Sequence, residues 1–147
     1  MSTKKSAAKK PAARPVRKTA KPTTPKATAA IVIPPCKKGE RWAGLILKEN
    51  GKPDYHLFKL PGQLDKTNYA GALAYAKKQG GEPPTLRDLA LMRTNLRAQF
   101  QDKWYWSGEE SRSSSGWAWM QGFANGGQSS DSKGFEVCAV AVRRVFI

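Results

Sequence analysis

The chain has 147 residues, with 26 Lys/Arg against 11 Asp/Glu and a net charge of +15. That length suits one ordinary domain, and two cysteines with one histidine are too few for a zinc site of Cys/His ligands. No stretch approaches the ~20 apolar residues of a membrane span, and "AAIVI" is shorter than the ~7–15 residues of a secretory h-region. The expectation is therefore no signal peptide and no membrane partner, in a cytoplasmic or virion-associated protein.

The charge is segregated. Residues 1–38 hold eleven Lys/Arg and no acid; the rest holds fifteen Lys/Arg and eleven acids. The first segment is Lys, Arg, Ala, Pro, Thr and Ser without an aromatic residue. Such a composition buries too little apolar surface to offset ordering entropy, so residues 1–38 read as a disordered basic tail. Its cations Lys4, Lys5, Lys9, Lys10, Arg14, Arg17, Lys18, Lys21 and Lys26 suit non-specific phosphate contacts driven by counterion release. A flexible, solubilising linker is the competing reading. The remainder, 39–147, reads as one domain.

That domain opens with "ERWAGLILKENGKPDYHLFKL", two apolar runs around Asn50-Gly51, the signature of a β-hairpin. His56 falls in the second run and is expected to face solvent. Next, Thr67 precedes Tyr69, Ala72, Leu73 and Ala76, spaced as one helical face, and Gly80-Gly81 stop the helix. A second helix follows Thr85, with Asp88 completing a capping box and Leu89, Met92, Leu96 and Phe100 forming its apolar stripe. Arg87, Arg93 and Arg97 fall off that stripe, on a solvated face.

The region 104–135 carries four of the five tryptophans among serines and glycines. "WYW" sets Trp104 and Trp106 on one side of a strand and Tyr105 on the other. "WAWMQGF" does the same with Trp117, Trp119, Gln121 and Phe123 opposite Ala118, Met120 and Gly122. Trp106 and Trp119 are expected in the core. The closing "FEVCAVAVRRVFI" is apolar on both faces and reads as one central strand. A hairpin, two helices and then several strands make an α+β fold. Cys36 and Cys138 either form a single disulfide or stay free thiols.

The segments "WAGLIL…GKPDYHLFKLPG", "GGEPPTLRDLALMRTNLRAQF", "WYWSGEE…WAWMQGFANGGQ" and "AVRRV" resemble the Lcl C-terminal-like family, a bacterial and phage domain of unknown function. The likeness runs from about Gly39 to Val145 and leaves the tail outside. It implies a C-type-lectin-like fold of the formylglycine-generating-enzyme type, with two helices on a mainly antiparallel sheet. It is also similar to the target proteins of diversity-generating retroelements, whose variable residues lie near the C-terminus. The sequence departs from the calcium-dependent lectins, because Glu82-Pro83 is followed by Pro84 and no Trp-Asn-Asp exists. It also lacks the neighbouring cysteine pair of the oxidases, so no metal or cofactor is expected.

Two functional readings result. The first is a non-enzymatic binding domain displaying a Ser/Gly/aromatic surface to an unknown protein or surface ligand. Small polar residues between aromatic anchors behave as a paratope does. Its expected contacts are loop residues Ser111, Arg112, Ser113, Ser114 and Ser115, then Asn125, Gln128, Ser129, Ser130 and Asp131 in a loop spanning 125–133. Glu109 joins them, with Tyr105 and Trp117 as anchors. The alternative is a nucleic-acid-associated protein whose histone-like tail binds DNA or RNA. An enzyme is disfavoured, because no nucleophile has a visible base and adjacent Glu109-Glu110 point apart.

Overall fold

The computed structural model describes residues 30–147, so the tail cations from Lys4 to Lys26 lie outside the described residues. In chain order the elements are β1 (Arg41–Leu47), β2 (Pro53–Lys59), β3 (Leu64–Thr67), α1 (Tyr69–Lys78), α2 (Leu86–Asn95), a 3-10 turn (Arg97–Gln99), β4 (Trp104–Glu110), β5 (Trp117–Gly122), β6 (Gln128–Ser132), β7 (Val137–Ala139) and β8 (Val142–Phe146). They build a three-stranded sheet, β1-β2-β8, and a five-stranded sheet, β3-β7-β4-β5-β6. All pairings are antiparallel except β4 with β7. Helices on mixed and antiparallel sheets make the α+β class. The compact unit is Ile33–Ile147. No helix among the described residues is long and apolar enough to cross a membrane.

The hairpin forms as its turn chemistry dictates. Gly51 N–H donates to Lys48 O at 2.9 Å, Asn50 Oδ1 accepts from Lys52 N–H at 3.0 Å, and Gly51 takes φ +86°, where a Cβ is costly. The first helix starts one residue later than the sequence suggests. Asn68, not Thr67, is its cap, accepting from Gly71 N–H at 2.8 Å, because Thr67 is occupied in β3 opposite Val137. Gly80 and Gly81 N–H close the far end on Lys77 O and Ala76 O, both at 3.0 Å.

The second helix carries the expected capping box between Thr85 and Asp88. Asp88 does more than cap. It is fully buried, and it accepts from the Tyr55 hydroxyl at 2.6 Å and from Arg144 Nη2 at 2.6 Å. Arg144 also reaches Glu82 at 2.5 Å and Pro83 O at 3.1 Å. One satisfied ionic cluster thereby fixes the start of α2 to β2 and β8, with every buried charge partnered. Burial and the Asp88 carboxylate push the Tyr55 hydroxyl up to about 12.

Three sequence expectations change. His56 is buried at 3% exposure, with Nδ1 accepting from the Trp42 indole N–H at 3.1 Å. The cause is that β2 lies between β1 and β8 with Tyr55 through Leu60 all covered. The closing stretch is two strands rather than one. After Ala139 the chain leaves the five-stranded sheet, crosses at Val140-Ala141 and joins β2 as β8. Leu60 N–H donates to Ala141 O at 3.0 Å and satisfies the crossing. The alternation survives, since Cys138, Val140 and Val142 enter the core under α2 while Ala139 enters the one under α1. An apolar run buried on both faces reports burial, not sheet membership. The third change is that Trp119 is only half-buried. Cys36 is exposed, Cys138 is buried, and both are free.

Candidate functional site

The serine-rich surface is built on the β5–β6 hairpin. Its register pairs Trp117 with Ser132, Ala118 with Asp131, Trp119 with Ser130, Met120 with Ser129 and Gln121 with Gln128. Directly opposed residues point to one face. Ala118 and Met120 enter the core under α1, so Ser129 and Asp131 lie on that side. The other face holds Trp117, Trp119, Ser130 and Ser132, ending in Gln128, whose Nε2 donates to the buried Gln121 Oε1 at 2.8 Å. Trp117 is 44% exposed.

The loop after β4 stands at the Trp117 end. Ser111 N–H donates to Trp117 O and Trp117 N–H to Ser114 O, both at 2.9 Å, which folds 111–117 into a tight return. Arg112 through Gly116 are exposed. Lys133 ties loop to strand, donating its N–H to Gly116 O at 2.8 Å and its ammonium to Glu110 at 2.8 Å. Ser113, Ser114 and Ser115 thus sit in a braced, exposed loop whose backbone is bonded to that of Trp117.

Several expected contacts are placed otherwise. Residues 125–133 are not one loop: a turn leads directly into β6. Gln-Ser-Ser-Asp-Ser has no β-branched or aromatic residue, so no strand signal existed. Asn125 and Gln128 lie at the far end of β5, Gln128 opposite Gln121 and so about 13 Å along the strand from Trp117 at ~3.3 Å per residue, and Asn125 Oδ1 is taken by Gly127 N–H. Tyr105 is fully buried and is no surface anchor. Its ring packs on Phe100 and Phe123, and its hydroxyl donates to Gln63 and accepts from Gln101 N–H. Burial pushes that hydroxyl well above the usual tyrosine range. Glu109 Oε2 accepts from Leu86 N–H at 2.7 Å, capping α2 alongside Thr85. Asp131 Oδ1 accepts from Ser132 N–H at 2.7 Å.

The set that remains together is Arg112 to Ser115, Trp117 and Ser130. The geometry adds Trp119 and Ser132, which the sequence reading left out. Their signal was the W-x-W alternation, and cross-strand register was needed to use it. The arrangement offers a flat aromatic platform with hydroxyl groups along one side. The single histidine is engaged with Trp42, its one side-chain hydrogen bond among the described residues. No protein-family model and no curated protein matches the chain.

Proposed function

We propose that this protein is a non-enzymatic binding domain that presents the Trp117/Trp119 platform and the 112–115 loop to a protein or surface ligand. The observation that carries this reading is Trp117, 44% exposed on a paired strand opposite Ser132 and bonded through its backbone to the exposed serine loop. A large aromatic held rigidly in water gives area at low entropy cost, and adjacent hydroxyls supply adaptable hydrogen bonds. We further propose that the scaffold is C-type-lectin-like, as the resemblance to the Lcl C-terminal-like family implies. The two helices and a loop-bearing sheet edge support that assignment. The test is an arginine scan at Ser113, Ser114, Ser115, Ser130 and Ser132 against the partner recovered by pull-down. Binding is expected to fall with the melting temperature nearly unchanged.

A second reading rests on the segregated charge, eleven cations and no acid in residues 1–38. Here the tail holds DNA or RNA and the domain is an adaptor. Salt separates the two. Tail binding weakens steeply with ionic strength and is lost on removing residues 1–38, whereas platform binding survives both. Binding that persists through the scan and disappears only with the tail overturns the platform reading.

A further inference from the structure

A pocket of about 400 Å³ opens where β3, the start of β4 and the entry to β7 meet, away from the Trp117 platform. Incomplete pairing creates it. β3 meets β7 only at Leu64–Ala139 and Thr67–Val137, with an irregularity between, and β4 meets β7 only at Tyr105–Cys138. Asp65 and Lys66 are pushed out of the ladder and become its rim.

Two aromatic rings wall the pocket. Trp104 is half-buried, and its benzo edge lies on Gly122, where an added Cβ would stand 3.2 Å from Cζ2 and 3.3 Å from Cε2 and Cη2. A side chain there would have to push the indole aside by a few tenths of an ångström. The second wall is Phe135, 48% exposed and outside every core cluster. Its ring is therefore open to a molecule entering the pocket.

The rim is acid-rich in a basic protein. Asp65, Asp102 and Glu136 face Lys66 and Lys103. Asp102 is held by Arg97 at 2.5 Å, and Asp65 Oδ1 accepts from Gln101 Nε2 at 2.6 Å, leaving its second oxygen open. Glu136 has no hydrogen-bonded partner among the described residues, its nearest cation being Lys66 at 3.8 Å. Lys66 is 75% exposed at its side chain, so that contact is loose.

We propose that this pocket binds a small organic cation of the quaternary or methylated ammonium class, held between Trp104 and Phe135 with Glu136 and Asp65 as counter-charges. Ring faces attract a weakly hydrated cation, and Glu136 with the second oxygen of Asp65 stands at the rim to meet its charge. Lys66 and Lys103 are both exposed and stand at the solvent edge. An anion would meet Glu136 and Asp65 as well as Lys66 and Lys103, Asp102 being held by Arg97.

Three probes of one shape and different charge test this on the full chain: choline, 3,3-dimethyl-1-butanol and 3,3-dimethylbutanoate. The readout is the Trp104 indole N–H resonance, assigned by its loss in Trp104→Phe. Choline is expected to shift it saturably at millimolar concentration, the neutral alcohol to bind at least tenfold more weakly, and the carboxylate not to bind. Glu136→Gln and Phe135→Ala, both at exposed positions, are each expected to weaken choline at least fivefold while the other four indole resonances stay in place. Equal binding of the alcohol, preference for the carboxylate, no shift with any probe in a natively folded sample, or no loss in either variant overturns the proposal.

Discussion

The chain writes Trp-x-Trp twice, and the two copies end in opposite environments. In β4, Tyr105 and Trp106 are fully buried and Trp104 half-buried; in β5, Trp117 is exposed, Ala118 buried and Trp119 half-buried. Both copies alternate across a sheet in the same way. The difference is what lies over each face. Trp106 points toward α1, where the Tyr69 ring meets it edge-on at 5.6 Å and Thr67 O takes its indole N–H at 2.9 Å. Trp117 and Trp119 point to the α2 side. There the buried stripe Leu89 and Met92 shares its core with Tyr105 and Phe123, and with neither tryptophan. A ten-residue helix spans only about 15 Å. Its start is held on β2 and β8 by Asp88 and on β4 by Glu109, and Arg93 in its last turn reaches Phe123 O, so it packs along β4 and leaves both β5 tryptophans outside its core.

The largest expected effect therefore belongs to Trp106. Trp106→Ala empties a fully enclosed site and removes a hydrogen bond, costing about 3–5 kcal/mol by chemical denaturation. A loss near 1 kcal/mol would mean that the two copies are equivalent and the comparison fails. Next is Asp88→Ala, which leaves Arg144 only the exposed Glu82 as counter-charge and frees the Tyr55 hydroxyl. About 3 kcal/mol is expected, together with faster amide exchange along α2, since the buried half of the ion pair is lost. Unchanged exchange in α2 would show that the cluster does not position the helix. Trp119→Ala, on a half-covered ring, should cost about 1–2 kcal/mol, less than half the Trp106 value.

What the sequence disclosed follows the same division between local rules and cover. The Asn50-Gly51 turn and the Thr85–Asp88 capping box are short-range chemistry, and both stand where they were expected. The exposed serine loop at 111–116 was also legible, because nothing in it is apolar. His56 and Tyr105 were misread because their burial comes from strands and helices distant in sequence. Glu109 reads in the sequence as a ligand contact and Asp88 as a simple cap; the partners that fix them, Leu86 N–H and Arg144, lie 23 and 56 residues away. β6 was invisible for a different reason. Its five polar residues form a strand only because β5 supplies a partner.

The smallest expected effect sharpens the contrast most. Trp117→Ser removes the largest exposed side chain of the hairpin, yet its ring is in no core cluster. Its backbone bonds to Ser111 and Ser114 do not involve the side chain, so the loop geometry persists. Stability should change by no more than about 0.5 kcal/mol, the usual range for surface positions. Ligand binding through the platform should nonetheless be lost, since an exposed aromatic anchor contributes its energy to the complex rather than to the fold. The decisive comparison is Trp106→Ala against Trp117→Ser in one series, melting temperature on one axis and affinity for the recovered partner on the other. The first should move along stability alone at temperatures where it remains folded, the second along affinity alone. A Trp117 variant that melts like the Trp106 variant would mean that the platform is core in solution, and the binding surface would then have to be sought elsewhere.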